Sequence, residues 1–412
     1  MNVSGHFLQR NGAPWFLLGD TAWELLHRLT EAEAGHYLTT RARQGFNTVL
    51  TVGISEFDGL GTPNAAGHLP FLGRDPRRPD ERYWQHADRV IRQANRLGLT
   101  VGLLPTWGTY WHDEPAFFES VTAADYGRWI AGRYRNDDII WILGGDRNVS
   151  TVDQRRVIDA FAGAIRSVVG DRQLITFHPR GQASSTDDVP GAGWLDFNLI
   201  QSSHTGWNTP NYQLIEQDYL VEPVKPVLDG EPNYENHPVM TPTSPRTGTW
   251  EPVPGWRFDD RDVRRAAYHA VFAGACGHVY GAHDIWQFFD PNRAEPINEA
   301  RLPWRSALEL PGANQLGHLA RLVDELDLLR WKPDQSVLAS GIGFLGSHQR
   351  AMSRADEAVV YTPPGREIRL RRPAASVRWW NPLDGQWRAE QKPAQLVSPF
   401  ATDAVAALRN FG

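Results

Sequence analysis

Eight short apolar runs, each followed by a helix-like pattern, occupy residues 12 to 290 of this chain. That alternation is the mark of a parallel sheet, because parallel neighbours need a crossover helix between them. The runs fall at Trp15–Gly19, Thr48–Gly53, Thr100–Thr106, Ile139–Leu143, Leu174–Phe177, Phe197–Gln201, Val224–Leu228 and His278–Tyr280. Runs this uniformly apolar read as strands buried on both faces. Eight such units over about 280 residues fit a closed (β/α)8 TIM barrel better than an open sheet. The helices between them carry start signals. Thr30-Glu31-Ala32-Glu33 and Thr151-Val152-Asp153-Gln154 read as capping boxes, and Asp80 and Asp260 as further starts. Trp84, Ala87, Val90, Ile91, Ala94 and Leu97 follow the 3.6-residue period, and Gly98 ends that helix.

After about residue 330 the pattern changes to short runs separated by turns. They lie at Val337–Leu345, Ala358–Thr362, Glu367–Arg371, Val377–Trp380, Ala394–Val397 and Val405–Leu408. This spacing predicts a small antiparallel β-sandwich. The expected organisation is therefore α/β: a barrel over residues 1–328 and a β-sandwich domain over 329–412. Two connections, Ile54–Pro79 and Pro232–Arg257, are rich in turn residues and too long to be mere links. Both follow strands, which places both on the face of a barrel that carries chemistry.

Composition narrows the function. The 412 residues carry a formal net charge of −6, which gives no reason to expect nucleic acid or an anionic membrane surface as partner. No apolar stretch approaches the ~20 residues that span a bilayer. The first residues show no basic region followed by an apolar run. The expected location is cytoplasmic if the chain is full-length, and secreted or periplasmic if an export signal was trimmed. Cys276 is the only cysteine, so neither an internal disulfide nor a cysteine metal cluster is available. No cofactor or metal is expected, and the oligomeric state is left open.

Two apolar runs end on a carboxylate. The fourth closes with Gly144-Gly145-Asp146 and the seventh with Asp229-Gly230-Glu231. Asp146 and Glu231 lie about 85 residues apart, or three units of roughly 28 residues, close to the ~31 of an eight-unit barrel. Two carboxyl groups flanking one bond are what hydrolysis of a glycosidic bond requires. Asp146 is the candidate acid/base; the alternative is a helix N-cap, for which Thr151 is better placed. Glu231 is the candidate nucleophile; the alternative is an ion pair with a rim arginine such as Arg180. Asp229, two residues before Glu231 in an extended strand, is expected to point the same way. It is either a buried hydrogen-bonding carboxylate or a competitor for the same role.

The other strand ends bring Asp20 and Trp23, Trp107, Asn148, His178, Gln201, His204 and Trp207, then His283 and Trp286. Carboxylates, amides and imidazoles pair with sugar hydroxyls, and indoles cover the apolar faces of sugar rings. Asp20 reads as a hydroxyl ligand or a helix cap. The spacing of His178, His204 and His283 matches no standard metal site. A glycan, oligo- or polysaccharide, is the expected partner.

Four ordered motifs make a family recognisable. Gly5-His6-Phe7 with Pro14-Trp15-Phe16-Leu17-Leu18-Gly19-Asp20-Thr21-Ala22-Trp23 resembles the opening of the apiosidase-like glycoside hydrolases, family 140. Gln44-Gly45-Phe46-Asn47-Thr48-Val49, Ile142-Leu143-Gly144-Gly145-Asp146-Arg147-Asn148 and Asp229-Gly230-Glu231-Pro232-Asn233-Tyr234 resemble its next landmarks. The stretch Trp380-Asn381-Pro382-Leu383-Asp384-Gly385 is similar to the collagen-binding-type β-domain that usually follows. The resemblance implies a retaining enzyme with Asp146 as acid/base and Glu231 as nucleophile. It also implies removal of apiose, a branched furanose, from a pectic polysaccharide. The wider clan usually carries Asn-Glu on the fourth strand. Gly145-Asp146 departs from that, so Asn148 or His178 is expected to make the contact to the sugar 2-hydroxyl. The alternatives are a same-fold glycosidase on another sugar, such as arabinofuranose, and a barrel that binds glycans without cleaving them.

Overall fold

The eight barrel strands are β1 (Leu17–Thr21), β2 (Thr48–Val52), β3 (Thr100–Leu104), β4 (Ile139–Gly144), β5 (Ile175–His178), β6 (Asn198–Gln201), β7 (Val227–Asp229) and β8 (Gly277–Tyr280). The computed structural model describes residues 1–242, 250–389 and 396–410. The strands pair in parallel in the order β5-β4-β3-β2-β1-β8-β7-β6. The ring closes between β5 and β6. There Asp196 N–H donates to the Ile175 carbonyl at 2.9 Å, and Thr176 Oγ1 donates to the Phe197 carbonyl at 2.7 Å. Asp196 Oδ2 accepts from Ile175 N–H at 2.7 Å in the same joint. A two-residue strand, Ala183–Ser184, lies antiparallel on β6.

Every residue of β1 to β4 is buried, which is why they show no alternation of apolar with exposed polar residues. Their side chains alternate between two cores. Leu17, Leu50, Leu104, Ile142, Leu228 and Val279 pack together inside the barrel. Leu18, Val49, Leu103, Trp141 and Phe177 face the surrounding helices. The expected capping boxes form at Thr30 with Glu33 and at Thr151 with Gln154. Asp80 caps Glu81–Arg96, and Gly98 (φ +80°) leaves that helix in the left-handed region where glycine is favoured. The helix Asp260–Phe272 is capped by Asp259, one residue earlier than the sequence suggests.

Two strand ends differ from the sequence reading in ways that matter. Trp15 ends a separate meander, Asn2–Ser4, Phe7–Arg10 and Ala13–Trp15, and β1 begins two residues later. Asp20 therefore lies within β1 rather than beyond its end. On the seventh strand, β7 runs from Val227 to Asp229, so Asp229 is its last residue and Gly230 turns the chain. The connection 232–257 also holds an antiparallel hairpin, Pro238–Pro242 with Trp250–Arg257. Its residues 243–249 lie outside the described part. Among the described residues, no helix is long and apolar enough to cross a membrane.

The C-terminal region forms one six-stranded antiparallel sheet. Its order is Lys332–Pro333, Arg350–Arg354, Glu357–Thr362, Ala404–Arg409, Ser376–Asn381, Gln386–Trp387. One face, with Met352, Val359, Tyr361, Trp380 and Val405, merges with the core of the barrel helices. The other packs Ala351, Val360, Trp379 and Ala406 against Val337, Leu338, Ile368 and Leu396. Those last segments include the expected strands Val337–Leu345 and Glu367–Arg371. They are joined only by the isolated bridges Leu338↔Leu370 and Glu367↔Val397. The expected strand Ala394–Val397 lies partly outside the described residues.

A buried ion pair pins this sheet to the barrel. Arg264, on the helix Asp260–Phe272, meets Asp403 through Nη2–Oδ1 at 2.6 Å and Nε–Oδ2 at 3.0 Å, and Tyr361 OH adds a bond to Oδ2 at 3.1 Å. Asp403→Ala removes the more buried carboxylate partner of Arg264 and leaves it Asp260 at 3.2 Å and the Gln315 side chain. It is expected to destabilise the protein by about 1–3 kcal/mol, read as a lower urea midpoint with an unchanged slope.

Candidate active site

A cavity of about 650 Å³ opens at the C-terminal ends of the strands. Segments following all eight strands line it, from Trp23 after β1 to Trp286 after β8. That volume lies within the ~300–1,000 Å³ typical of small-ligand pockets.

Asp146 enters the cavity on an unusual stretch of backbone. Gly144 (φ +91°), Gly145 (φ +96°) and Asp146 (φ +60°) are all left-handed. A Cβ on Gly144 would meet the His178 carbonyl oxygen at 2.3 Å, so only glycine fits there. Aspartate is one of the few other residues that tolerates the left-handed region. Three bonds fix the turn: Gly145 N–H to His178 O at 3.1 Å, Gly108 N–H to Gly145 O at 3.1 Å, and Trp111 Nε1 to Gly144 O at 2.8 Å. The Asp146 side chain keeps 38% of its surface accessible through the cavity. Protein atoms otherwise surround it. Burial and then the Glu231 charge push its carboxyl up to about 6.

Glu231 sits deeper, with 8% of its side chain accessible. Its Oε1 lies 3.0 Å from His204 Nε2 and its Oε2 lies 2.9 Å from His178 Nε2. The first contact is an aligned hydrogen bond; the second is close but off-line. Burial pushes the Glu231 carboxyl up, but the two imidazoles outweigh it and hold it down at about 2. Arg180 lines the cavity without forming the ion pair that was the alternative reading of Glu231. The two acids are thus driven in opposite directions within one cavity, the pattern that separates an acid from a base.

The remaining expected residues divide into three groups. Trp23, Trp107, Gln201, His204 and Trp286 line the cavity with the two acids. Trp23 and Trp107 pack edge to face at 5.3 Å, and the Gln201 side chain faces Asp146. His178 and His283 are fully buried behind the wall. His178 supports Glu231, while His283 accepts from Trp286 Nε1 at 3.2 Å. The third group lies elsewhere. Asp20 is fully buried and accepts from Tyr37 OH at 2.5 Å and Arg41 Nε at 2.6 Å. Both partners lie on the helix Glu31–Arg43, because an in-strand position two residues from Leu18 faces the helices as Leu18 does. Asp229 points the same outward way. It accepts from Asn211 Nδ2 at 2.9 Å and Ser202 Oγ at 3.1 Å, and the turn at Gly230 sends Glu231 into the cavity instead. Asn148 does not line the cavity and donates to Ser150 Oγ at 2.5 Å. Trp207 is half-exposed outside it.

Several lining residues escaped the sequence reading. Glu56, on the loop after β2, is a third carboxyl in the cavity. Burial and then the Asp146 charge push it up to about 8, so it keeps its proton at neutral pH. Tyr234 and His237 follow Glu231, and His237 stacks on His204 at 4.3 Å. Tyr234 belongs to the Glu231-Pro232-Asn233-Tyr234 motif, which was signal enough to include it. Glu56 had only its place in a long post-strand loop to mark it. Arg147, Met240 and Trp250 also line the wall.

The profile of the family described as "Apiosidase-like, catalytic domain" matches residues 3–330. The chain belongs to this apiosidase-like family. Among solved structures it is similar to a glycoside hydrolase family 5 protein from Bacteroides vulgatus ATCC 8482. The two share 30% identity over 98% of this chain and 92% of that one, with a TM-score of 0.86. It is also similar to a structure described as a glycoside hydrolase, at 29% identity over 99% and 96% of the two chains, with a TM-score of 0.81. No curated protein matches the sequence. The apiosidase-like chain thus carries a glycoside hydrolase fold, and its partner is a carbohydrate.

The coupling of the two acids is directly measurable. Glu231→Gln removes the nearby like charge and leaves the burial. The Asp146 pKa is expected to fall from about 6 but to stay above the ordinary aspartate value. Carbon-13 NMR of the Asp146 carboxyl across a pH titration reads the shift, and an unchanged or raised value would contradict the coupling.

Proposed function

We propose that this apiosidase-like protein is a retaining, exo-acting glycosidase in which Asp146 is the acid/base and Glu231 the nucleophile. The observation that carries the proposal is the opposite displacement of two carboxyl groups lining one cavity, to about 6 and about 2. Glu231, ionised, attacks the anomeric carbon and forms a covalent glycosyl ester. Asp146, protonated, gives its proton to the leaving oxygen as that bond breaks. Asp146, now ionised, takes a proton from water, and the water oxygen releases the sugar from Glu231. Through both steps His204 and His178 orient the glutamate, and Trp23, Trp107 and Trp286 cover the apolar faces of the ring.

The substrate proposed is a terminal furanosyl, apiosyl-like residue on a pectic polysaccharide, an assignment supported by the family relationship. The test is release of free monosaccharide from pectin fractions, with the anomer first formed identified by proton NMR. Retention of configuration supports double displacement. Inversion overturns it, and would go with carboxyl groups ~6.5–9.5 Å apart rather than ~5–5.5 Å. Release of arabinose instead of apiose would reassign the sugar and leave the chemistry in place. Hydrolysis of no glycoside would leave a glycan-binding barrel.

Two further outcomes follow from the acids. Asp146→Asn is expected to lower kcat on a natural glycoside by roughly 10²–10⁴-fold, with the fold unchanged by circular dichroism. The pH dependence of kcat/KM reports the free enzyme. Activity needs Asp146 protonated, so it falls as pH rises through about 6; it needs Glu231 ionised, so it is lost only as pH falls through about 2. A profile still rising at pH 8 would contradict these roles.

A further inference from the structure

Of the described tryptophans, only Trp207, Trp250 and Trp256 are exposed, at 50%, 42% and 50%. All three lie on segments that follow the neighbouring strands β6 and β7. Trp250 lines the cavity, on the second strand of the hairpin after β7. Trp256 lies six residues further along the same strand, at most ~20 Å away in extended backbone. Trp207, on the loop after β6, packs its ring edge to face against Trp256 with centroids 4.8 Å apart.

This pair is not loose surface. Trp207 Nε1 donates to Asp262 Oδ1 at 3.0 Å. Asp262 is itself held, by Arg265 Nη2 at 2.8 Å and by the Asp259 N–H at 3.0 Å. The two segments are also stitched by backbone. Gly206 N–H donates to Met240 O at 3.0 Å, and Met240 N–H donates to His204 O at 3.1 Å. Ser203 N–H ties the same loop to the Glu231 carbonyl at 2.9 Å. The exposed indoles are therefore fixed, through a few bonds, to the residues that hold the cavity acid. Exposed aromatic surface that is rigidly held, and that shares a strand with a cavity-lining indole, is suited to stacking against sugar rings.

We propose that Trp207 and Trp256 form a second carbohydrate-binding platform outside the cavity, occupied by the polysaccharide chain from which the terminal sugar is removed. The proposal rests on the glycosidase reading for the orientation of that chain, while binding itself is tested apart from hydrolysis. A terminal residue enters the cavity past Trp250, and units further from the cleaved bond lie along the hairpin to the indole pair. Arg265, whose side chain keeps part of its surface accessible, supplies donors for sugar hydroxyls at the edge, while the buried Asp262 holds the Trp207 indole in place.

Binding is read by affinity electrophoresis of the Glu231→Gln protein through gels containing pectin, arabinan or mannan. Retardation in at least one polysaccharide, abolished by adding Trp207→Ala with Trp256→Ala and retained with Trp256→Tyr, is the expected result. Equal retardation of the Ala pair, or no retardation in any gel, overturns the platform. The tyrosine variant guards against a merely unfolded protein. In otherwise unaltered protein, the Ala pair should raise KM for pectic oligosaccharides by roughly tenfold, the factor equivalent to ~1.4 kcal/mol of ring contact. kcat, and both constants for small aryl furanosides, should not change. Equal losses on long and short substrates would overturn the proposal. If no glycoside is hydrolysed at all, the glycosidase reading fails and the gel result alone decides the platform. A concentration-dependent dimer in sedimentation that the Ala pair dissolves would assign the indoles to a second copy of the chain instead.

Discussion

Closure of the barrel between β5 and β6 is the constraint on which the site depends. Along the hydrogen-bonded order of the sheet, β4 and β7 are five strands apart, or ~24 Å at the usual inter-strand spacing. An open sheet would leave Asp146 and Glu231 with no common ligand. The bonds from Asp196 to Ile175 and from Thr176 to Phe197 join the ends and bring both acids to one cavity. The same closure turns every post-strand segment inward over the mouth, so all eight contribute to its wall.

Electrostatics then distinguishes two residues that are chemically alike. Both carboxyls are surrounded by protein, and burial raises both. Glu231 has two imidazoles against it and Asp146 has none so close; Asp146 also feels the Glu231 charge. A neighbour set of two histidines is thus enough to hold one carboxyl ionised, while burial and the charge of that ion raise the other to about 6. Glu56, raised to about 8, adds a third acid that holds its proton near neutral pH, so there the cavity can hold three carboxyls without holding three charges.

The parts of this arrangement legible in the sequence are those written in short-range patterns. Strand positions follow from apolar runs, helix starts from Thr30, Asp80 and Thr151, and the two acids from their place just beyond the fourth and seventh runs. Errors arise where an outcome turns on a shift of one or two residues. β1 extends to Thr21, which puts Asp20 in the strand and against Arg41. β7 stops at Asp229, which separates the directions of Asp229 and Glu231. Residues whose place is set by tertiary contact, such as Glu56 on its long loop or Trp207 against Trp256, carry no periodic signal to betray them. The C-terminal strand Arg350–Arg354 escaped because a run opening and closing on arginine lacks an apolar pattern.

The left-handed backbone at Asp146 has a consequence for how variants of this acid are to be interpreted. Few side chains tolerate that conformation, and asparagine is one of them. Asn at 146 alters the proton and little else, so its effect reports chemistry. Alanine or glutamate alters the chain path as well, and a loss there mixes two causes. The glycines that aim the acid thereby also decide which of its mutants can be trusted.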